Sequence, residues 1–531
     1  MRWTTFGVLL LIALTLASFY RFPDLGLRPM HTDEAILGMK FLDFWRTGVF
    51  DYDPKDFHGP FLHYLTRAFA WAAHWRDPAA VTESGLRSVI AVCGVLLVLV
   101  TVFLTDALGR MATVLAMLMM AASPMMVFYS RYFIMEVPFV LLLAVFMIGC
   151  WRFAQGRSRL WLLVAGAALG CVHATKETFV INLAAMLCGW VAARVVTEGF
   201  VKRASGLRLS MGRNRRRVKW PWLWVAMTAV AVSVALFSGG FRHWQDVMES
   251  ITTYASYVKR SGGAGGHEKP WFYYLGLIFW YKDSWVWSEA LIGGLAVVGI
   301  LTAFLGSFTK EPHRKAFLVF LSVYALAALT AYSIIPYKTP WTILSVQWAL
   351  TLLAGVGGRT LYCVFRARTY RFVMGLLLVA GIYDLCYQTK VTIYHPVHPG
   401  TADQPNLRAP YVYSHTSMSA VKLVNRLREL AAFAPGEFSA QVINIDSGWP
   451  LPWYLRDTPH LGYQIAVPET VTAPVIVVDV GSLPAVQAKL AGKPYEADFF
   501  SLRPDVNVTL LVEKGLWDRF LAAKSATAPP P

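Results

Sequence analysis

The chain has 531 residues, 56% of them hydrophobic, a mean hydropathy of +0.46 and many runs of about 20 apolar residues, which excludes a soluble globular domain and describes a multi-pass membrane protein. Its formal net charge of +17 does not point to nucleic acid, because the Lys and Arg residues sit between hydrophobic runs rather than on a folded polar domain. Cys93, Cys150, Cys171, Cys188, Cys363 and Cys386 lie in or beside apolar segments with no close pair and no metal-ligand spacing, so neither a disulfide framework nor a zinc site is expected.

In chain order, residues 4–20 form a first apolar run behind Met1, Arg2 and Trp3, either a signal peptide or an uncleaved span. A polar island follows, His31 to Tyr64, HTDEAILGMKFLDFWRTGVFDYDPKDFHGPFLHY, and is read as a loop rich in acids, histidines and aromatics. Further spans are predicted near 84–105, 111–129, 133–150, 160–175, 178–196, 220–238, 286–306, 316–335, 341–358 and 371–388, with a partial or interfacial helix at 271–280. Backbone groups in hydrocarbon must bond within their own segment, and the runs lack barrel-like alternation, so the expected fold is an all-α polytopic bundle of about 11 transmembrane helices.

Lys and Arg collect in alternate connections: Arg110; Arg152, Arg157 and Arg159; the cluster from Lys202 to Lys219 with Arg213, Arg215, Arg216 and Arg217; Lys310, Arg314 and Lys315; and Arg359, Arg366 and Arg368. The positive-inside rule makes these cytoplasmic, together with the amino terminus. The cluster at 213–219 could also read as an anionic-lipid or nucleic-acid site, but topology alone accounts for it. The island then lies outside, as do the loops at 21–83 and 239–285 and everything after residue 390. Residues 1–390 form the membrane domain. Residues 400–520 turn polar, with strand-like runs at 441–445, 475–480 and 506–512 and a helix-like PAVQAKLA, which predicts a small extracytoplasmic α/β domain; the tail 521–531 reads as disordered.

Once the sidedness is assigned, the outer turns are nearly free of charge except at Arg131 and Glu136, Lys176 and Glu177, and Lys338. A charge at the edge of hydrocarbon is expensive and has a partner or a task, a snorkelling or structural ion pair being the plainer alternative. Acids beside fixed cations suit transfer from a lipid phosphate. The leaving phosphate oxygen gains negative charge and needs Lys, Arg or a metal ion. The incoming hydroxyl needs a carboxylate to take its proton, a task for Asp33 or Glu34. The loop from Phe241 to Ser284 carries SGGAGGHEKP and then Trp271, Phe272, Tyr273, Tyr274, Trp280 and Tyr281. It lacks the ending and preceding strand of a P-loop and reads either as a substrate lid or as an interfacial aromatic belt.

These motifs resemble the polytopic glycosyltransferases of the C superfamily, nearest to the protein O-mannosyltransferases and lipid A aminoarabinose transferases. The likeness rests on Asp33-Glu34 followed by His58-Gly59-Pro60, Ser130-Arg131 with Glu136, Thr175-Lys176-Glu177, His267-Glu268-Lys269-Pro270-Trp271, and Tyr337-Lys338-Thr339-Pro340-Trp341, over about residues 1–390. Gly59 departs from it, standing where the mannosyltransferases have the first Pro of His-Pro-Pro, and no luminal β-trefoil repeat interrupts the chain. The resemblance implies inverting transfer from a polyprenyl-phosphate sugar, with Asp33 as base beside Glu34 and with Arg131, Lys176 and Lys338 on the donor phosphate. His58, Glu136, Glu177, His267, Glu268 and Tyr337 are supporting substrate-binding candidates. Some members use a divalent metal, for which no ligand set can be named here. The expected setting is the inner cell membrane with its lipids, and the acceptor is a protein, a glycolipid or a polysaccharide. The alternatives are a flippase-associated or transport component, for which no internal repeat is found, and a scaffold whose outer domain binds an envelope partner.

Overall fold

The computed structural model describes residues 1–54, 58–203, 220–261, 267–282, 286–305, 311–394, 409–443, 448–490, 492–504 and 506–527. The basic cluster at 213–219 and the glycines of 262–266 lie outside the described residues. Among those described, seven helices are long and apolar enough to cross a membrane: Trp3–Arg21, Glu83–Leu108, Glu136–Ala154, Phe179–Val196, Pro312–Ile334, Pro340–Val364 and Arg368–Tyr394. Four shorter apolar helices are Arg110–Ala122, Leu160–His173, Pro221–Phe237 and Ala290–Leu305. Each expected span overlaps an apolar helix, the seven long ones confirm a multi-pass membrane protein, and the expected number of eleven spans is not established by them. The run expected as one helix at 111–129 breaks at Ser123, whose Oγ accepts the Met126 N–H while Pro124 opens a separate short helix, Pro124–Tyr129.

The chain forms two compact units. The larger holds Met1–Leu25, Asp43–Pro396 and Arg408–Tyr411. Its central helix, Leu344–Val364, is buried along most of its length. It meets Ala290–Leu305 backbone against backbone: a Cβ on Gly357 would stand 1.9 Å from the Leu295 carbonyl oxygen, and one on Gly299 would stand 2.1 Å from that of Leu353. Small residues at such crossings let dispersion act between helices that gain nothing from the hydrophobic effect in lipid.

The second unit holds Gly26–Leu42, Val397–Leu407 and Val412–Pro531. Its strands β1 (Ala440–Ile443), β2 (Leu461–Gln464), β3 (Val475–Asp479), β4 (Tyr495–Arg503) and β5 (Val506–Glu513) form one sheet in the order β2-β1-β3-β5-β4. β1 is parallel to β2 and β3, and β5 is antiparallel to β3 and β4. Val475 and Val477 turn to one face, with Leu423, Leu427, Leu510, Leu516 and Phe520; Ile476 and Val478 turn to the other, with Ile443 and Leu511. A sheet covered on both faces explains why VIVVD is an unbroken apolar run rather than an alternating one.

Several expectations change. The island read as a loop contains two helices, Thr32–Thr47 and Phe61–Ala72; the second buries Leu62, Thr66 and Ala70 at four-residue spacing. A further helix, Trp244–Ser261, occupies the loop expected at 239–285. The tail expected to be disordered from 521 is helical as far as Thr527, because Leu516 and Phe520 anchor Lys514–Thr527 to the core; residues 528–531 lie outside the described residues.

Candidate active site

In the larger unit, hydrogen bonds join turns far apart in sequence. Lys176 Nζ is ion-paired with Glu136 Oε1, both side chains buried. Burial works against the Lys176 charge, but Glu136 outweighs it and holds the ammonium above its ordinary value. Beside it, His58 Nδ1 meets Glu177 Oε2 at 2.6 Å. Burial pushes the Glu177 carboxyl up; the His58 ring, with smaller help from Lys176, more than reverses this and leaves it below the usual carboxylate value. The 58–61 segment lies against the Thr-Lys-Glu turn: the Phe61 N–H donates to the Ala174 carbonyl at 2.9 Å, and a Cβ on Gly59 would stand 2.3 Å from that same oxygen. Position 59 therefore has a steric reason to lack a side chain. A small cavity lined by Glu136, Lys176, Thr178, Trp341, Thr342 and Ser345 connects this cluster to the start of the central helix.

A second group forms where residues 267–269 run antiparallel to 336–338. Glu268 bridges Tyr337, the Lys269 N–H donates to the Pro336 carbonyl, and the Lys338 N–H donates to that of His267. The His267 and Tyr337 rings lie 4.8 Å apart. Lys338 is buried, and its Nζ donates to the carbonyl oxygens of Lys269 and Ile335. Among the described residues it has no carboxylate partner, and burial holds its ammonium below the ordinary lysine value.

Arg131 has a different environment. Its guanidinium donates to the carbonyls of Tyr20, Arg21 and Asp24 at 3.1, 3.2 and 3.0 Å, at the end of the first helix. Burial brings it down to about 10. Arg21 and Arg87, not singled out by the sequence reading, bond to nearby carbonyls, Arg21 to Met120 and Ala121 and Arg87 to Leu25. Guanidinium groups at the last carbonyls of a helix complement its negative end.

Asp33 and Glu34 belong to the second unit, in the first turn of Thr32–Thr47. His31 caps this helix: its Nδ1 accepts the Asp33 N–H at 3.1 Å, and its own N–H donates to Glu34 Oε2 at 3.0 Å. This is the reciprocal arrangement of a capping box, with a histidine ring in the usual Ser or Thr role. The ring is fixed in turn, because only Nε2–H can donate to the Tyr413 carbonyl, 3.0 Å away. The Glu34 carboxylate is thus buried and committed to backbone. That of Asp33 is one-third exposed and 3.9 Å from His31 Nδ1.

Among the described residues no group of three or more His, Cys, Asp or Glu side chains is placed to hold a metal ion. The pairs His58–Glu177 and His31–Asp33 each bring only two such side chains together. Apart from these residues, a cavity of about 550 Å³ is lined by Trp45, Tyr64, Arg67, Trp71, Trp75 and Arg76. Arg67 lies 4.6 Å over the Trp45 ring, which stacks on Trp75.

Residues 67–241 match the family of dolichyl-phosphate-mannose-protein mannosyltransferases. No curated protein matches the chain in sequence. ArnT from Cupriavidus metallidurans bound to undecaprenyl phosphate is similar in structure, with a TM-score of 0.59 at 14% identity over 97% of this chain and 99% of ArnT. Its apo form gives 0.58 at 15% identity, again over 97% and 99%. The Archaeoglobus fulgidus oligosaccharyltransferase in complex with Zn and sulfate gives 0.51 at 13% identity, over 96% of this chain and 75% of that one. The chain has the fold of the polytopic C-type glycosyltransferases, as the order of its charged turns led the sequence to suggest.

Proposed function

We propose that the protein is an integral membrane glycosyltransferase that moves a sugar, with inversion, from a polyprenyl-phosphate donor to an acceptor hydroxyl on the outer face of the inner membrane. The observation that carries the chemistry is the contrast within the acidic pair: Glu34 is consumed as a helix cap, whereas Asp33 stays one-third exposed and reachable on the same capped turn. A general base needs that combination of access and fixed direction. It draws the proton from the acceptor hydroxyl as the oxygen attacks the anomeric carbon, and the bond to the donor phosphate breaks on the opposite face.

Of the three cations considered for the phosphate, Lys338 is the strongest. Lys176 is already neutralised by Glu136, and Arg131 is tied to three carbonyls of the first helix end. Among the described residues Lys338 touches only neutral carbonyls, so its charge remains available to an anion. Lipid-donor use is further supported by the fold shared with a protein crystallised with undecaprenyl phosphate. In this reading the amino terminus is cytoplasmic, and residues 400–520 are an extracytoplasmic domain beside the acceptor, whether protein, glycolipid or polysaccharide. The class is tested by incubating the purified protein in nanodiscs with undecaprenyl-phosphate mannose, glucose and aminoarabinose, with an extract of envelope proteins, glycolipids and polysaccharides as the acceptor. Release of one sugar above a protein-free control is expected; no release from any donor, with or without added divalent metal, counts against the assignment.

A further inference from the structure

Four residues from the C-terminal segment of the second unit hold the stretch just before and at the start of the Asp33 helix. The Met30 N–H donates to Tyr454 Oη at 2.8 Å, and Thr416 Oγ1 donates to the Met30 carbonyl at 2.7 Å. Tyr413 accepts from the His31 ring, and Arg503 Nη1 donates to Thr32 Oγ1 at 2.6 Å. Backbone clamping by three of these would suffice to fix a helix end. Arg503 adds something else, because it brings a full positive charge to the acidic turn.

The position of Arg503 follows from the sheet. It ends β4, where the pairing with β5 slips between Ser501 and Arg503, so that Ser501 faces Asn507 and Arg503 faces Val506. Such a slip re-aims a side chain away from the regular alternation. The bulged segment is secured by bonds to the 417–419 turn: Ser417 N–H to the Leu502 carbonyl at 2.9 Å, and Ser501 N–H to Ser419 Oγ at 3.1 Å. Burial lowers the affinity of the guanidinium for its proton, and the charge that acts in the opposite direction is the Asp33 carboxylate. Among the described residues, no acid forms an ion pair with Arg503 within 4.0 Å. A half-buried guanidinium anchored on the Thr32 hydroxyl leaves further N–H groups for the carboxylate of the next residue in the chain, Asp33, in a planar fork that a lysine cannot reproduce.

We infer that Arg503 is a positioning residue for Asp33: fixed through Thr32, it holds the carboxylate in the orientation in which it accepts the acceptor's proton, so that the C-terminal domain completes the catalytic turn. This rests on the reading of Asp33 as the base. It gives the domain a part in the chemical step, beyond acceptor recognition.

The test compares wild type with Arg503→Ala, Arg503→Lys, Thr32→Val and Asp33→Asn in nanodiscs, using whichever of the three undecaprenyl-phosphate sugars above the wild type turns over. Arg503→Ala is expected to lower kcat about 100-fold, the scale of a displaced catalytic group, with the donor KM unchanged. Added guanidinium ion, below denaturing concentration, should restore part of the loss. Arg503→Lys and Thr32→Val should fall between. Unchanged kcat in Arg503→Ala overturns the inference, and so does a raised donor KM at constant kcat, which would make Arg503 a donor contact. A kcat loss that neither guanidinium nor lysine relieves, with a lowered melting temperature, also overturns it by making the residue structural. Asp33→Asn separates the two claims: wild-type turnover there removes the base itself, whereas an inactive Asp33→Asn beside a fully active Arg503→Ala removes only Arg503.

Discussion

At the scale of single residues, adjacent acids with the same charge hold opposite places, and their neighbours decide which one is available. Glu34 accepts the His31 N–H from a buried position, so Glu34→Ala removes half of a helix cap. It should lower stability by about 1 kcal/mol, read as a reduced melting temperature with residual transfer in the surviving protein. Gly59 is a second case. A side chain there meets the Ala174 carbonyl, so Gly59→Ala should cost about 1–3 kcal/mol as an overpacked site. An unchanged melting temperature would show that the 58–61 segment is not seated on that turn. Neither feature was legible from residue identity. Asp-Glu reads alike for both acids until the cap is seen, because histidine is not among the usual cap residues. Glycine in a loop gives no hint of which carbonyl it approaches.

At the scale of elements, the hydrophobic helices were legible because a run of apolar residues near membrane length has few other uses. The amphipathic ones were not. Thr32–Thr47, Phe61–Ala72 and Trp244–Ser261 mix charges and aromatics, and the same composition serves a polar loop. Strands Val475–Asp479 and Val506–Glu513 stood out as β-branched runs, while Leu461–Gln464, with its LGYQ sequence, carries no such signal. Elements also determine how the turns respond to pH. The Glu177 carboxyl lies below its ordinary value in the folded protein, so its pairing with His58 adds stability above the unfolded carboxylate value. That contribution is lost as pH falls through the lower, folded value. Glu177→Gln should therefore melt below wild type at neutral pH, and the gap should close in acid. A gap that widened on acidification would reverse the assignment.

At the scale of the molecule, hydropathy, alternate basic connections and the order of the charged turns were enough to suggest the C-type glycosyltransferase fold, which the structural likeness to ArnT bears out. The clustering of the turns was not readable, because it depends on how helices separated by more than 100 residues pack. His58 meets Glu177 across 119 positions, and Arg131 reaches Tyr20 across 111. The orientation itself is open to direct test: a reporter fused at residue 420 should be extracytoplasmic, and a cytoplasmic signal there would overturn the proposed topology. Lys338→Ala should weaken donor binding about tenfold or more, as loss of a charge-assisted contact, measured by titration of undecaprenyl phosphate; unchanged affinity would remove Lys338 from the phosphate site. The most direct measurement of the central claim is single-turnover transfer by Asp33→Asn with the donor saturating. Donor binding should be retained while transfer falls to background. Transfer at the wild-type rate would contradict that claim.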